Sequence, residues 1–200
     1  MNSNELLSIP ISDQKVSLRK QIRRELHMLT PEYCTASDTQ IRHLLFSLSE
    51  YNHASRIFCF VGRKTEVDTL PILHHILSEG KQLAVPRCAS PGIMFAHWIT
   101  DPENDLFPGA WGILEPADSA PVAAPEEFDL ILVPCCTCTH NGKRLGFGGG
   151  YYDRYLAQTS GCKIVLCRES LTKDDIPTDR YDLFMDIVLT DAGIWKTVVS

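Results

Sequence analysis

The sequence has no apolar run approaching the roughly 20 residues that span a bilayer, which argues against a membrane-spanning helix. Its opening segment lacks the apolar core of a secretory leader, because Ser12, Asp13, Gln14 and Lys15 interrupt it early. A cytoplasmic protein is therefore expected. Basic charge is not in excess either: 19 Lys and Arg stand against 25 Asp and Glu, for a net charge of -6. That balance argues against general affinity for DNA or RNA, where counterion release needs a positive face. It leaves room for a local basic pocket that takes a small polyanion. Internal repeats and low-complexity segments are also missing. The eight cysteines have no disulfide-framework spacing; Cys34, Cys59, Cys88, Cys136, Cys162 and Cys167 sit among apolar or mixed neighbours, as reduced buried thiols do.

What is present is the composition of an ordinary globular protein, 44% hydrophobic and 22% charged. A chain of 200 residues makes one domain, 1–200, the expectation, with 1–11 as a loose lead-in. From Asp13 to Leu29 the residues Leu18, Ile22, Leu26 and Leu29 form one helical stripe, with Lys15, Arg19 and Arg23 on a neighbouring one. Thr30-Pro31-Glu32 reads as a fresh helix start, and Ile41, Leu44, Leu45 and Leu48 give that helix its buried face. Arg56–Val61 is a short apolar strand followed by a polar loop, 62–69. A helix over 70–78 is closed by Gly80, and a strand over 82–85 is stopped by Pro86. Residues 93–99 read as an edge strand or hairpin arm, and 102–125, rich in proline and glycine, as a surface excursion. Asp129–Val133 is the clearest buried strand, 150–158 a helix, 163–166 and 186–189 two further strands. This alternation predicts an α/β fold with a mainly parallel sheet covered on both faces. Ligands in such folds sit at the carboxyl ends of strands, which puts the loops after Val61 and Val133 on the functional rim.

The most informative stretch runs from Asn141 to Arg154, between a strong strand and a helix. Glycines at 146, 148, 149 and 150 remove side chains where a ligand must approach the backbone. Successive N–H groups before a helix amino end suit a phosphate, and Lys143 and Arg144 add positive charge at the rim, Arg144 with a fork able to grip two oxygens. The segment lacks the Lys-Ser/Thr ending of a P-loop and the Gly-x-Gly-x-x-Gly spacing of a dinucleotide fold. By spacing alone it is either an anion site or a tight structural loop.

Gly142 to Asp153, read as Gly-x-Arg-Leu-Gly-x-Gly-x-Gly-Tyr-Tyr-Asp, resembles the signature of the 5-formyltetrahydrofolate cyclo-ligase (5,10-methenyltetrahydrofolate synthetase) family. Lys15-x-x-Leu-Arg19, Glu66-Val-Asp-Thr69, Trp111-Gly-Ile-Leu-Glu-Pro116, and Pro177–Asp182 with the strand after it, resemble further family elements in the same order. The resemblance implies a three-layer α/β sandwich (NagB/RpiA/CoA-transferase-like). It implies a reaction in which ATP and Mg²⁺ drive closure of 5-formyltetrahydrofolate to 5,10-methenyltetrahydrofolate, with ADP and phosphate released. A monomer is expected.

The same resemblance assigns Lys15, Arg19, Arg144 and residues 145–152 (Leu145, Gly146, Phe147, Gly148, Gly149, Gly150, Tyr151, Tyr152) to ATP, with Arg144 and Lys15 as the catalytic cations. Val61, Glu66 and residues 147–151 would contact the folate, and Asp153 and Asp182 the Mg²⁺. Each also has a plainer reading: Lys15 and Arg19 as a solvated basic face, Glu66 as a surface acid, Asp153 as a complement to its own helix's amino end, and Tyr151, Tyr152 and Trp111 as core.

The chain departs from the family at Pro134-Cys-Cys-Thr-Cys-Thr139, where Pro-Gly-x-Ala-Phe-Asp is usual, and at Leu171, where glutamine is frequent. These departures put the exact substrate in question. Cys135, Cys136 and Cys138 with His140 could in principle hold zinc, but one cramped cluster rarely satisfies a tetrahedral ion. Two rival functions therefore stand beside the cyclo-ligase: a nucleotide-binding regulatory relative without folate chemistry, and a phosphoryl transferase acting on another small molecule.

Overall fold

A computed structural model describes residues 9–109 and 112–197. Trp111 and most of the expected lead-in lie outside the described residues. Helix α1 (Ile11–His27) begins at once, then α2 (Pro31–Ser47), α3 (Ser49–His53), β1 (Arg56–Cys59), α4 (Leu70–Ser78), β2 (Gln82–Ser90) and β3 (Ile93–Ile99). The excursion carries α5 (Pro102–Asp105), β4 (Leu106–Pro108), β5 (Leu114–Pro116) and β6 (Val122–Ala123). The last third holds β7 (Leu130–Pro134), β8 (Thr137–Cys138), β9 (Arg144–Leu145), α6 (Tyr151–Leu156), β10 (Cys162–Leu166), β11 (Ile187–Thr190) and β12 (Gly193–Lys196).

The central sheet runs β12-β11-β10-β7-β1-β2-β3-β6. Its inner pairs are parallel, and antiparallel partners close both sides at β12 and at β3 with β6. Strand side chains alternate between two cores, which makes the architecture three-layered. Ile57, Leu130, Leu132, Ile164 and Leu189 face Ile41 and Leu45 of α2 and Ile72 and Ile76 of α4. Phe58, Ile131, Val133, Val165 and Val188 face Ile22 of α1 and Tyr155 and Leu156 of α6. Each such aliphatic side chain, once fully buried, contributes roughly 1.5–3 kcal/mol. No helix among the described residues is long and apolar enough to cross a membrane, and all eight cysteines are free thiols.

Local signals explain most boundaries. Thr30 Oγ1 accepts from the Tyr33 N–H at 3.2 Å, capping α2 as its Thr-Pro start requires. Gly80 ends α4 with φ +72°. Pro86 does not stop β2 as expected: the strand passes through it, pairing Pro86 with Ala96. The ladder from β1 reaches only Ala84, so beyond that point the strand has a side without a partner, where a missing N–H is tolerated. α6 is shorter than the helix read over 150–158, and β8, β9 and β12 add strands that the hydrophobic pattern did not mark.

Candidate active site

The site begins where β7 ends. The chain turns through β8 and returns as β9, with Cys138 opposite Arg144. Gly142 makes this return possible: its φ is +92°, and a Cβ there would lie 2.7 Å from the Met185 carbonyl oxygen. The hairpin brings Arg144, 5% exposed, back beneath the strand end. Its Nη1 donates to the Pro134 carbonyl at 3.1 Å, its Nη2 pairs with Asp153, and its buried Nε has no partner among the described residues.

Arginines strap the glycine loop that follows. Arg19 Nε donates to the Gly146 carbonyl at 2.8 Å. Arg154 donates to the Gly149 carbonyl at 2.6 Å and the Gly92 carbonyl at 2.8 Å. The carbonyls are thus tied down, while the N–H groups of residues 146–150 donate to no other described residue. Gly148, at φ +104°, lies against the Arg19 guanidinium. Because α6 has six residues, its dipole adds little beside the N–H groups and the cations around the loop.

Lys15 reaches the site from α1. It is 8% exposed and forms ion pairs with Asp179 at 2.7 Å and Asp182 at 2.5 Å. Burial by itself would lower its ammonium, but its hydrogen bonds to Asp179 and Asp182 prevail and hold it above its ordinary value. Both carboxylates expected near Mg²⁺ are therefore paired with the two cations expected to be catalytic: Asp153 with Arg144, Asp182 with Lys15. Lys143 is not at the rim as expected; it pairs with Asp175 at 2.6 Å.

Glu66 sits in the loop after β1, where its carboxylate receives the Arg63 N–H at 2.9 Å and a two-pronged grip from the Arg63 side chain at 3.1 and 3.2 Å. Arg63 in turn lies 4.4 Å from the Phe147 ring centroid, linking this loop to the glycine loop by a cation–π contact. Tyr152 belongs to the core as much as to the site. It stacks on Phe58 at 6.1 Å beneath Arg144, and its buried hydroxyl has no partner among the described residues. Burial pushes that hydroxyl well above its ordinary range.

Arg168, to which no motif pointed, is 3% exposed. It pairs with Asp38 at 2.7 Å and donates to the Glu66 carbonyl at 2.9 Å and the Thr65 carbonyl at 3.3 Å. Burial outweighs this pairing and lifts the Asp38 carboxyl above its ordinary value. Arg168 anchors the loop that carries Glu66. Only its position just past a parallel strand could have flagged it.

One cavity of about 1300 Å³ gathers these groups. Lys15, Arg19, Val61, Glu66, all ten residues from Arg144 to Asp153, and Asp182 line it, with Arg168 beside them. Its size suits a nucleotide and a second organic molecule together, and its polar end holds Lys15, Arg19 and Arg144.

Residues 11–191 match the model of the 5-formyltetrahydrofolate cyclo-ligase family. The chain belongs to this family. A cyclo-ligase of Mycolicibacterium smegmatis is 31% identical over 72% of this chain and 77% of its own length. The mouse cyclo-ligase is 25% identical over 92% of this chain and 97% of its own. The solved 5,10-methenyltetrahydrofolate synthetase of Aquifex aeolicus superposes with a TM-score of 0.81 at 28% identity, covering 93% of this chain and 94% of that one. The three-layer fold is thus that of a cyclo-ligase, and the ten residues from Arg144 to Asp153 line its cavity of about 1300 Å³.

Proposed function

We propose that this chain closes 5-formyltetrahydrofolate to 5,10-methenyltetrahydrofolate at the cost of one MgATP, releasing ADP and phosphate. The observation that carries this reading is the convergence on one cavity of Lys15, Arg19, Arg144 and the N–H groups of 146–150, which donate to no described residue, with Val61 and Glu66 lining the same cavity. Membership in a family whose relatives are named for this reaction supports it.

The chemistry needed is activation. A formamide oxygen is a poor leaving group; once phosphorylated it leaves readily, and N10 closes on the activated carbon. Arg144, with an unused Nε beside its two fixed bonds, would hold the transferring phosphoryl group and offset its charge. Lys15 and Arg19, one helical turn apart, would grip the remaining phosphate oxygens. The glycine N–H groups would receive the same chain of phosphates. Glu66, held in place by Arg63, would accept from the paired N–H donors of the pterin. Alignment of formyl oxygen with phosphoryl group by two rigid walls is the main source of rate.

Asp153 and Asp182 fit Mg²⁺: both offer hard carboxylate oxygens on the cavity, and this ion takes one or two from protein while phosphate and water complete its shell. The ion would supply charge neutralisation there. No covalent protein nucleophile is required. The chain acts, in this reading, as a cytoplasmic monomer on a small molecule.

An absorbance assay for methenyl product with purified protein tests the proposal. Product should form from 5-formyltetrahydrofolate only with both ATP and Mg²⁺, with one ADP per turnover. Nucleotide binding without product would overturn the catalytic reading in favour of a regulatory one.

A further inference from the structure

The reaction leaves one cluster of side chains unused. The sulfurs of Cys135, Cys138 and Cys167 all lie within 4.8 Å of one another. Cys135 and Cys138 form a C-x-x-C on the loop that leaves β7. Cys167 follows β10, the parallel neighbour of β7, with Leu166 opposite Pro134. Cys136 and His140, which completed the candidate set in the sequence, stand outside the group; the His140 ring instead stacks on Trp195 with centroids 3.9 Å apart. The objection that one cramped segment rarely satisfies a tetrahedral ion therefore falls away, since the ligands come from two separate segments held in register by the sheet.

We propose that Cys135, Cys138 and Cys167 form a three-sulfur site for zinc(II), with water in the fourth position. Sulfur softness restricts the ion to thiophilic metals, and three protein ligands plus an open position is an arrangement zinc commonly takes. Zinc–sulfur bonds of about 2.3 Å around a tetrahedral ion put the sulfurs roughly 3.8 Å apart, so the cluster need only contract slightly. Binding the ion would release the thiol protons into solvent. Cys138 and Cys167 are buried while Cys135 is half-buried, and Cys135 and Cys167 line the cavity, which gives the ion a way in. A bound ion would clamp the loop after β7 to the end of β10, at the point where this chain replaces the usual family residues.

The test uses the full chain kept in a non-thiol reductant, equilibrated with zinc, desalted and analysed by elemental mass spectrometry. One zinc should remain per chain. Cobalt(II) in its place should show thiolate charge-transfer bands and the intense visible bands of a four-coordinate ion. Cys135→Ser and Cys167→Ser should lose both signals, while Cys136→Ser keeps them. Because Cys167 is buried and its substitution puts the fold itself at risk, Cys135→Ser, checked by circular dichroism, decides the matter. Folded wild-type protein that retains no zinc, retention of copper(I) alone, unchanged retention by folded Cys135→Ser, or loss in folded Cys136→Ser would each overturn the assignment. None of these readouts depends on folate turnover.

Discussion

Replacing Arg144 by alanine separates what this side chain does for the fold from what it does for the reaction. Its guanidinium has two fixed partners, the Pro134 carbonyl and the Asp153 carboxylate, and its side chain is 3% exposed. The Asp153 side chain is 29% exposed, so it can rehydrate once abandoned. The stability lost is then that of charged hydrogen bonds, about 1.5–3 kcal/mol. For a chain of this size that lowers the melting temperature by roughly 2–4 °C per kcal/mol, leaving the protein folded at assay temperature. The kinetic loss should be larger. Removing a preorganised donor to developing charge costs about 10²–10³-fold in kcat, and kcat should fall more than KM rises. Arg144→Lys keeps the charge without the fork and should fall between the two. The paired measurements are methenyl formation under saturating MgATP and a melting curve. A folded Arg144→Ala protein turning over within about threefold of wild type would refute a transition-state role, whatever the other residues do.

Three further outcomes follow from the geometry. Gly148→Ala, at φ +104° with its new Cβ 3.4 Å from the Arg19 guanidinium, meets little steric conflict but backbone strain of about 1–3 kcal/mol; calorimetry should show weaker ATP binding with a modest melting shift. Arg168→Met strands Asp38 and frees the Thr65 and Glu66 carbonyls, so urea unfolding should report a loss of about 3–5 kcal/mol and the KM for folate should rise. The Asp179 carboxyl is held below its ordinary value by its hydrogen bond from Lys15. The stability it contributes is present above the unfolded value of 3.8 and is lost as pH falls through the depressed one; melting curves taken downward from that value should show this loss in wild type and a flatter profile in Lys15→Met.

The fold was legible where one strand could be read without its neighbours. Leu130–Val133 is buried on both faces, so its unbroken apolar run identifies it. Thr30 and Pro31 announce a helix start through purely local chemistry. Pro86 misled because proline's effect depends on whether a partner strand lies alongside, which only the tertiary pairing decides. Strand β12 is three half-buried residues and an exposed lysine, whose pairing with β11 leaves no periodic trace. The glycine loop was legible because a bare backbone with positive φ at Gly148 and Gly150 demands small residues in sequence. The ion pairs were not. Lys15 and Asp182 lie far apart in the chain, and nothing in either neighbourhood encodes the other. Arg168 and Cys167 were invisible for the same reason: each acquires its role from a strand end set beside another loop by the sheet.

The two grips on Lys15 have a consequence for synthesis. An amino-terminal helix emerges early from the ribosome, yet its ammonium meets its counter-charges only after residues 179 and 182 have followed. Until then a growing chain can assemble much of its sheet while holding an unneutralised lysine against a half-built wall. Nascent fragments ending before residue 179 should therefore collapse without either ion pair that fixes Lys15 against the later loop.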